Sequence, residues 1–165
     1  MNFDALATMQ AESFRRAGKT MLGSFLPAQA LNAEELQEFL TRKTYSVLAT
    51  TRPDGRPLAS MILFLVWRDA FWLPSARGAV RLNNLRSQPW ASLVVFEGEE
   101  NEHTVVVVEG STSIHESVSP IFDQGLGQLW QERIPQPRDW VAALIELKPS
   151  RLLSYRAAKA EYTQA

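Results

Sequence analysis

Residues 45–75 read YSVLATTRPDGRPLASMILFLVWRDAFWLPS. Three apolar, β-branched or aromatic runs are cut here by two turns. YSVLATT (45–51) has the composition of a strand. RPDGRP (52–57) is a turn with a mechanism: Pro53 presets its own φ, and Asp54-Gly55 supplies a residue that takes positive φ at no cost. LASMILFLVW (58–67) is a second strand. Arg68-Asp69 turns it into a third, AFWLP (70–74). Strands joined this tightly pair antiparallel, so the stretch predicts a β-meander.

The pattern continues downstream. WASLVVFE (90–97) and HTVVVVEGSTSIHE (103–116) are further strands, separated by an exposed acidic turn, GEENE (98–102). Gly110, in the middle of the second, predicts a bulge or a close backbone approach. WVAALIELKP (140–149) and SRLLSYR (150–156) are the last strands. The reading is mainly β with helices (α+β): a six-stranded antiparallel sheet, or seven-stranded on a looser count. Closing it into a small barrel removes the exposed edges.

Helices flank the strands. Residues 3–17 carry a patchy apolar stripe. LNAEELQEFLTRKT is a clear helix, with Asn32 as N-cap, Glu34 and Glu35 in the first turn, and Leu36, Phe39 and Leu40 on one face. SVSPIFDQGLGQLWQERI (117–134) is expected to be helical in its second half, and PQPRD (135–139) is a loop. GKTMLGSFLPAQA (18–30), with two glycines and a proline, reads as a linker. The organisation is therefore an N-terminal helix and linker (1–30), a barrel domain (31–156) and a polar tail (157–165).

A chain of 165 residues, 45% of them hydrophobic, builds one domain with its own core. Its formal net charge of −1 argues against nucleic acid as a partner and makes any anion site local. There is no cysteine, which excludes disulfides, thiolate metal sites and a Cys nucleophile. Two histidines, His103 and His115, are too few for a His-rich metal site. No apolar run approaches the roughly 20 residues of a membrane helix. The first residues have an acid early and arginines late, the reverse of a signal peptide, so a cytoplasmic protein is expected. P-loop, GxGxxG, HExxH and GxSxG patterns are missing. The carboxylates at 99, 100 and 102 read as a solvated edge. Each histidine reads as structural or as a proton donor.

One segment stands apart: ARGAVRLNNLR (76–86), with three arginines and no acid. After Gly78 it can form a short helix, with Val80, Leu82 and Leu85 facing inward, stopped by Pro89. Arg77 and Arg81 are four apart and fall on one face of a first helical turn. Gly78 permits close approach of a ligand. Ser75 adds a hydroxyl, and the helix start directs N–H groups at the same spot. This combination suits a phosphate dianion. It also suits an exposed basic helix, and the residues alone leave both open. Arg86 lies on another face and reads as solvated.

The order of LATTRPDGRP, a strand pair, the NLRxxP segment, the next strand and then the VEG strand resembles the pyridoxamine 5′-phosphate oxidase-like split-barrel family of flavin-binding proteins. The resemblance covers about residues 34–156. It implies a homodimer of six-stranded split barrels, with FMN in a groove at the dimer interface. It puts the flavin phosphate on Ser75, Arg77, Gly78 and Arg81, and the ring on the second strand at Ser60, Met61, Ile62 and Leu63. It implies that the partner chain completes the site, through Trp130 or Trp140; core or dimer packing is the other reading of both.

Two departures matter. Pyridoxamine phosphate oxidases proper carry basic residues on the second strand, which is almost wholly apolar here. Their C-terminal Arg-x-His signature is missing from WVAALIELKPSRLLSYR. The expectation is an FMN-dependent oxidoreductase acting on some other small molecule. Two rivals remain. One is a reductase using the deazaflavin F420, drawing on Lys19, Arg52 and Arg56 for its acidic tail. The other is a non-catalytic haem- or flavin-binding protein, with His103 or His115 as axial ligand, or a dimer without cofactor.

Overall fold

The computed structural model describes residues 1–99 and 102–157. Part of the acidic turn and the polar tail beyond Ala157 lie outside the described residues. The meander forms where its turns predict it. β1 (Tyr45–Thr51) and β2 (Pro57–Leu63) pair in register from Tyr45 opposite Leu63 to Thr51 opposite Pro57. Gly55 sits in the turn at φ 85°. Arg68 and Asp69 both take positive φ between β3 (Leu65–Trp67) and β4 (Ala70–Ser75).

The run 58–67 is two strands, not one. It breaks at Phe64, while the last two expected runs merge into one strand, so the sheet has seven strands rather than the six of the barrel reading. β5 (Trp90–Glu99), β6 (Glu102–His115) and β7 (Ala143–Ala157) complete one antiparallel sheet in the order β2-β1-β5-β6-β7-β4-β3. β2 and β3 are its two edges, yet Phe64 alone joins them in the chain. The sheet therefore curls until its edges meet through a covalent link rather than a ladder, which is a split barrel. The two strands expected at 140–149 and 150–156 are the single strand β7, continuous through Pro149 and Ser150.

Side-chain alternation sorts the sheet into two cores. Phe71, Leu73, Ile145 and Leu147 face the barrel interior with Leu48, Leu93, Val106 and Val108. Ala70, Trp72 and Leu144 face outward against Phe122, Leu126 and Trp130. These last three come from a helical stretch of α5 (Ser119–Ile121), a π-turn (Phe122–Leu126) and α6 (Gly127–Arg133). Helical structure there starts earlier than the sequence suggests, and Gly125 absorbs a kink at φ 128°.

α1 (Phe3–Arg16) lies on β7. Leu6 enters the main core, and the Ser13 hydroxyl accepts the Leu152 N–H at 3.1 Å. Gln10 donates to the Leu31 carbonyl at 2.8 Å and accepts from Ser154. The expected linker 18–30 is itself structured, holding α2 (Lys19–Ser24) and a 3-10 turn (Pro27–Gln29).

α3 (Ala33–Arg42) starts on a complete capping box: Asn32 accepts from the Glu35 N–H, and Glu35 accepts from the Asn32 N–H. Leu36, Phe39 and Leu40 are buried beneath it. At its other end Arg42 and Lys43 both reach Glu97 on β5. The hydrogen bonds from Arg42 outweigh the cost of burial, Lys43 adds to them, and the Glu97 carboxyl drops from 4.5 to about 2. A carboxyl depressed in the fold stabilises it fully above its unfolded pKa and progressively less as pH falls through the folded value. Wild-type protein should therefore lose stability between about pH 5 and pH 2. Glu97→Gln should start lower and show a flatter dependence over that window in urea denaturation.

Candidate functional site

The loop 76–79 joins β4 to α4 (Val80–Ser87). Gly78 takes φ 74° there, which L side chains resist. Leu82 and Leu85 pin α4 to the barrel. So does buried Asn84, whose Nδ2 donates to the Thr50 hydroxyl at 2.9 Å. Val80, expected to face inward, points to solvent and is 51% exposed. The helix begins too late for Arg77 to join its first turn, so the four-residue spacing does not put Arg77 and Arg81 on one helical face.

The two arginines line different clefts. The first cleft, of about 260 Å³, is floored by Met61, Ile62 and Leu63 of β2. Tyr45 and Pro74 wall it, Trp140 stands at its rim, and Arg81 closes the α4 side. Arg81 is partly buried. Desolvation alone pushes its guanidinium below the ordinary value, and no carboxylate of the described residues offsets that cost. An uncompensated, partly desolvated cation is unfavourable until an anion arrives.

The second cleft, of about 330 Å³, lies across the loop. Arg77, Gly78 and Leu82 form one side, the ion pair Arg86–Glu116 another, and Ala142 and Ala143 a third.

The expected site residues thus divide. Met61, Ile62, Leu63, Arg81 and Trp140 come together in the first cleft. Ser60 is on β2 but outside that lining. Arg77 and Gly78 belong to the second cleft. Ser75 belongs to neither: it is fully buried, on the interior side with Phe71 and Leu73, and its hydroxyl has no partner. Trp130 is 3% exposed, inside the outer core, and its indole donates to the Gln136 carbonyl at 2.9 Å. In this chain it packs against Phe122 and Trp140 and lies outside both clefts.

The residues of the rival readings lie elsewhere. His103 bonds Tyr155 at 2.7 Å; His115 bonds Glu146 at 3.0 Å and lies against Trp72. Arg56 is held by Asp54 in the hairpin turn, and Lys19 is exposed on α2. None of these lines either cleft.

Tyr45 was not foreseen. The observed register is centred on Asp54 and places it opposite Leu63, whereas equal counting from an Asp54-Gly55 two-residue turn would place it opposite Phe64. Arg86 is exposed, as expected; it pairs with Glu116 and also lines the second cleft.

A partly buried cation at one end of an apolar trough suits a ligand with a flat apolar body and an anionic arm. The model of the pyridoxamine 5′-phosphate oxidase family matches residues 33–164. The chain belongs to this family. Membership in the pyridoxamine 5′-phosphate oxidase family agrees with the split barrel, and solved structures share it. A FAD-binding protein from Mesorhizobium loti superposes with a TM-score of 0.61 at 19% identity, over 78% of this chain and 97% of that one. A FAD-binding protein from Mycobacterium smegmatis gives 0.57 at 16%, over 78% and 98%. The haem storage protein HutZ of Vibrio cholerae gives 0.60 at 21%, over 74% and 93%. At these identities the likeness is one of fold. No curated protein matches the sequence at a significant level.

Proposed function

We propose that this chain is a flavin-dependent oxidoreductase that holds the FMN unit (ring, ribityl chain and phosphate) in the first cleft, at the interface of a homodimer. The observation that carries this is Arg81, a partly desolvated guanidinium without a carboxylate partner at the end of an apolar trough. A phosphate is the matching anion. Met61, Ile62 and Leu63 would support the ring through apolar side chains and backbone edges. The bound flavin supplies the hydride or electron chemistry. The chain's own residues bind it, orient it and exclude water; none is required as nucleophile. FAD-binding structures of the same fold support a flavin.

An apolar surface and an incomplete cleft support the dimer reading. Met61 is 64% and Phe96 57% exposed, and exposed Tyr45 lies on the same outer face. Val47 stands between β2 and β5 there, opposite both Met61 and Val94. A contiguous apolar sheet face of this kind marks an interface. The cleft of about 260 Å³ is also smaller than the roughly 300–1,000 Å³ that encloses a cofactor-sized ligand. A second copy seated on Tyr45 and Met61 would close it. The purified protein should be yellow, with flavin absorption bands, and should sediment at twice the chain mass of 18.6 kDa. A Soret band, or a colourless monomer that takes up F420 but not FMN or FAD, would overturn this function.

A further inference from the structure

We infer that Arg138 is a positioning residue, which holds Trp140 in place as a wall of the first cleft. The inference rests on the flavin reading of that cleft and deepens it. Trp140 is 41% exposed and shares the cleft lining with Arg81. An indole this open to solvent keeps one orientation only where the backbone beneath it is held. Residues 135–139, which lead up to it, form neither helix nor strand, so side-chain contacts must do the holding.

Trp140 lies inside a tight turn. The Val141 N–H donates to the Arg138 carbonyl at 2.9 Å, so Arg138 opens the turn and Asp139 and Trp140 form its middle. The closing side is fixed twice. Val141 is buried, and the Ala142 N–H donates to the carbonyl of Ser75, the last residue of β4, at 3.0 Å. The opening side depends on Arg138. Its guanidinium lies 4.6 Å from the centre of the buried Phe122 ring. Gly127 makes room for it: a Cβ there would come within 2.6 Å of Arg138 Nη1. Among the described residues no carboxylate pairs with Arg138, so the aromatic ring is the partner of its charge. With both ends of the turn held, the Trp140 indole rests against Trp130, ring centres 6.1 Å apart, and lines the cleft.

The test varies Arg138 and leaves Gly127 alone, because a Cβ at Gly127 would also meet the Phe122 carbonyl at 2.8 Å. Titrated with FMN, the flavin-free full-length Arg138→Ala chain should show a Kd raised about two- to fivefold, the worth of an exposed cation–π contact. Trp140→Ala should raise it at least as far. Arg138 acts through the indole, so the double variant should bind FMN no more weakly than Trp140→Ala alone. Arg138→Lys keeps a cation over Phe122 and should recover most of the loss. Without flavin, the indole N–H resonance of Trp140, identified by its disappearance in Trp140→Phe, should shift in Arg138→Ala. That of Trp90, on β5, should hold still. Losses that add in the double variant, or a Trp140 resonance that stays put, would overturn the inference. So would an FMN affinity untouched by Trp140→Ala; with Arg81→Ala still harmful, the flavin reading then stands. Affinity untouched by Arg81→Ala as well would remove both readings together.

Discussion

Gly110→Ala should be among the most damaging single substitutions in this chain, costing about 3 kcal/mol or more and lowering Tm by roughly 10 °C. A Cβ at Gly110 would lie 2.0 Å from the Lys148 carbonyl oxygen and 2.8 Å from its carbon. Both atoms are backbone of β7, so no rotamer change relieves the clash. The β6–β7 register shifts at this point, with Glu109 opposite Arg151 and Gly110 opposite Pro149. Pro149 has no N–H to give the ladder, and the missing side chain of Gly110 lets the two backbones close together instead. β6 and β7 are central strands, so parting them disturbs the barrel rather than an edge. Gly23→Ala is the control: it sits in α2 with nothing within 4 Å, and the helix favours alanine. Thermal and urea denaturation of the two variants decides the matter. An unchanged Gly110→Ala midpoint would show that the bulge yields.

Gly110 also shows how far sequence reasoning reaches. A glycine inside an apolar alternating run predicts a bulge or close approach, and here both occur. Turns were legible for the same reason: Asp54-Gly55 and Arg68-Asp69 carry their chemistry locally. The break at Phe64 was not legible. Nothing in LASMILFLVW interrupts its strand propensity, and only closure of the sheet makes Leu63 and Leu65 pair at opposite edges. Continuity of β7 through Pro149 was hidden because the partner that tolerates the proline, Gly110, is distant in sequence. For the site, Arg81 and the apolar β2 floor were legible through the family resemblance. The separation of Arg77 from Arg81 was not, since it depends on where α4 begins. The barrel-to-helix link through Asn84 and Thr50 also needed the fold, because an asparagine in a short basic helix reads as surface.

Arg81→Ala should move two quantities in opposite directions. Flavin affinity should fall by about 1.5–3 kcal/mol, the worth of hydrogen bonds to a charged group, which is at least about a tenfold rise in Kd. Stability of the flavin-free chain should hold or increase, because the substitution removes a guanidinium whose desolvation no described carboxylate offsets. A structural arginine behaves differently. Arg133 is also pushed down by burial, but it donates to the Lys43 carbonyl, so its removal leaves a backbone acceptor without its donor. Losing Arg133 should therefore destabilise the chain. Arg81→Lys keeps the charge but loses the planar fork, and should fall between wild type and alanine in affinity. Flavin titration paired with urea denaturation of the flavin-free protein reads both quantities. Unchanged affinity in Arg81→Ala would remove this residue from the site. Lost affinity with equally lost stability would make it part of the scaffold. Only the split outcome, weaker binding on an equally or more stable fold, is that of a cation held in reserve for a ligand's phosphate.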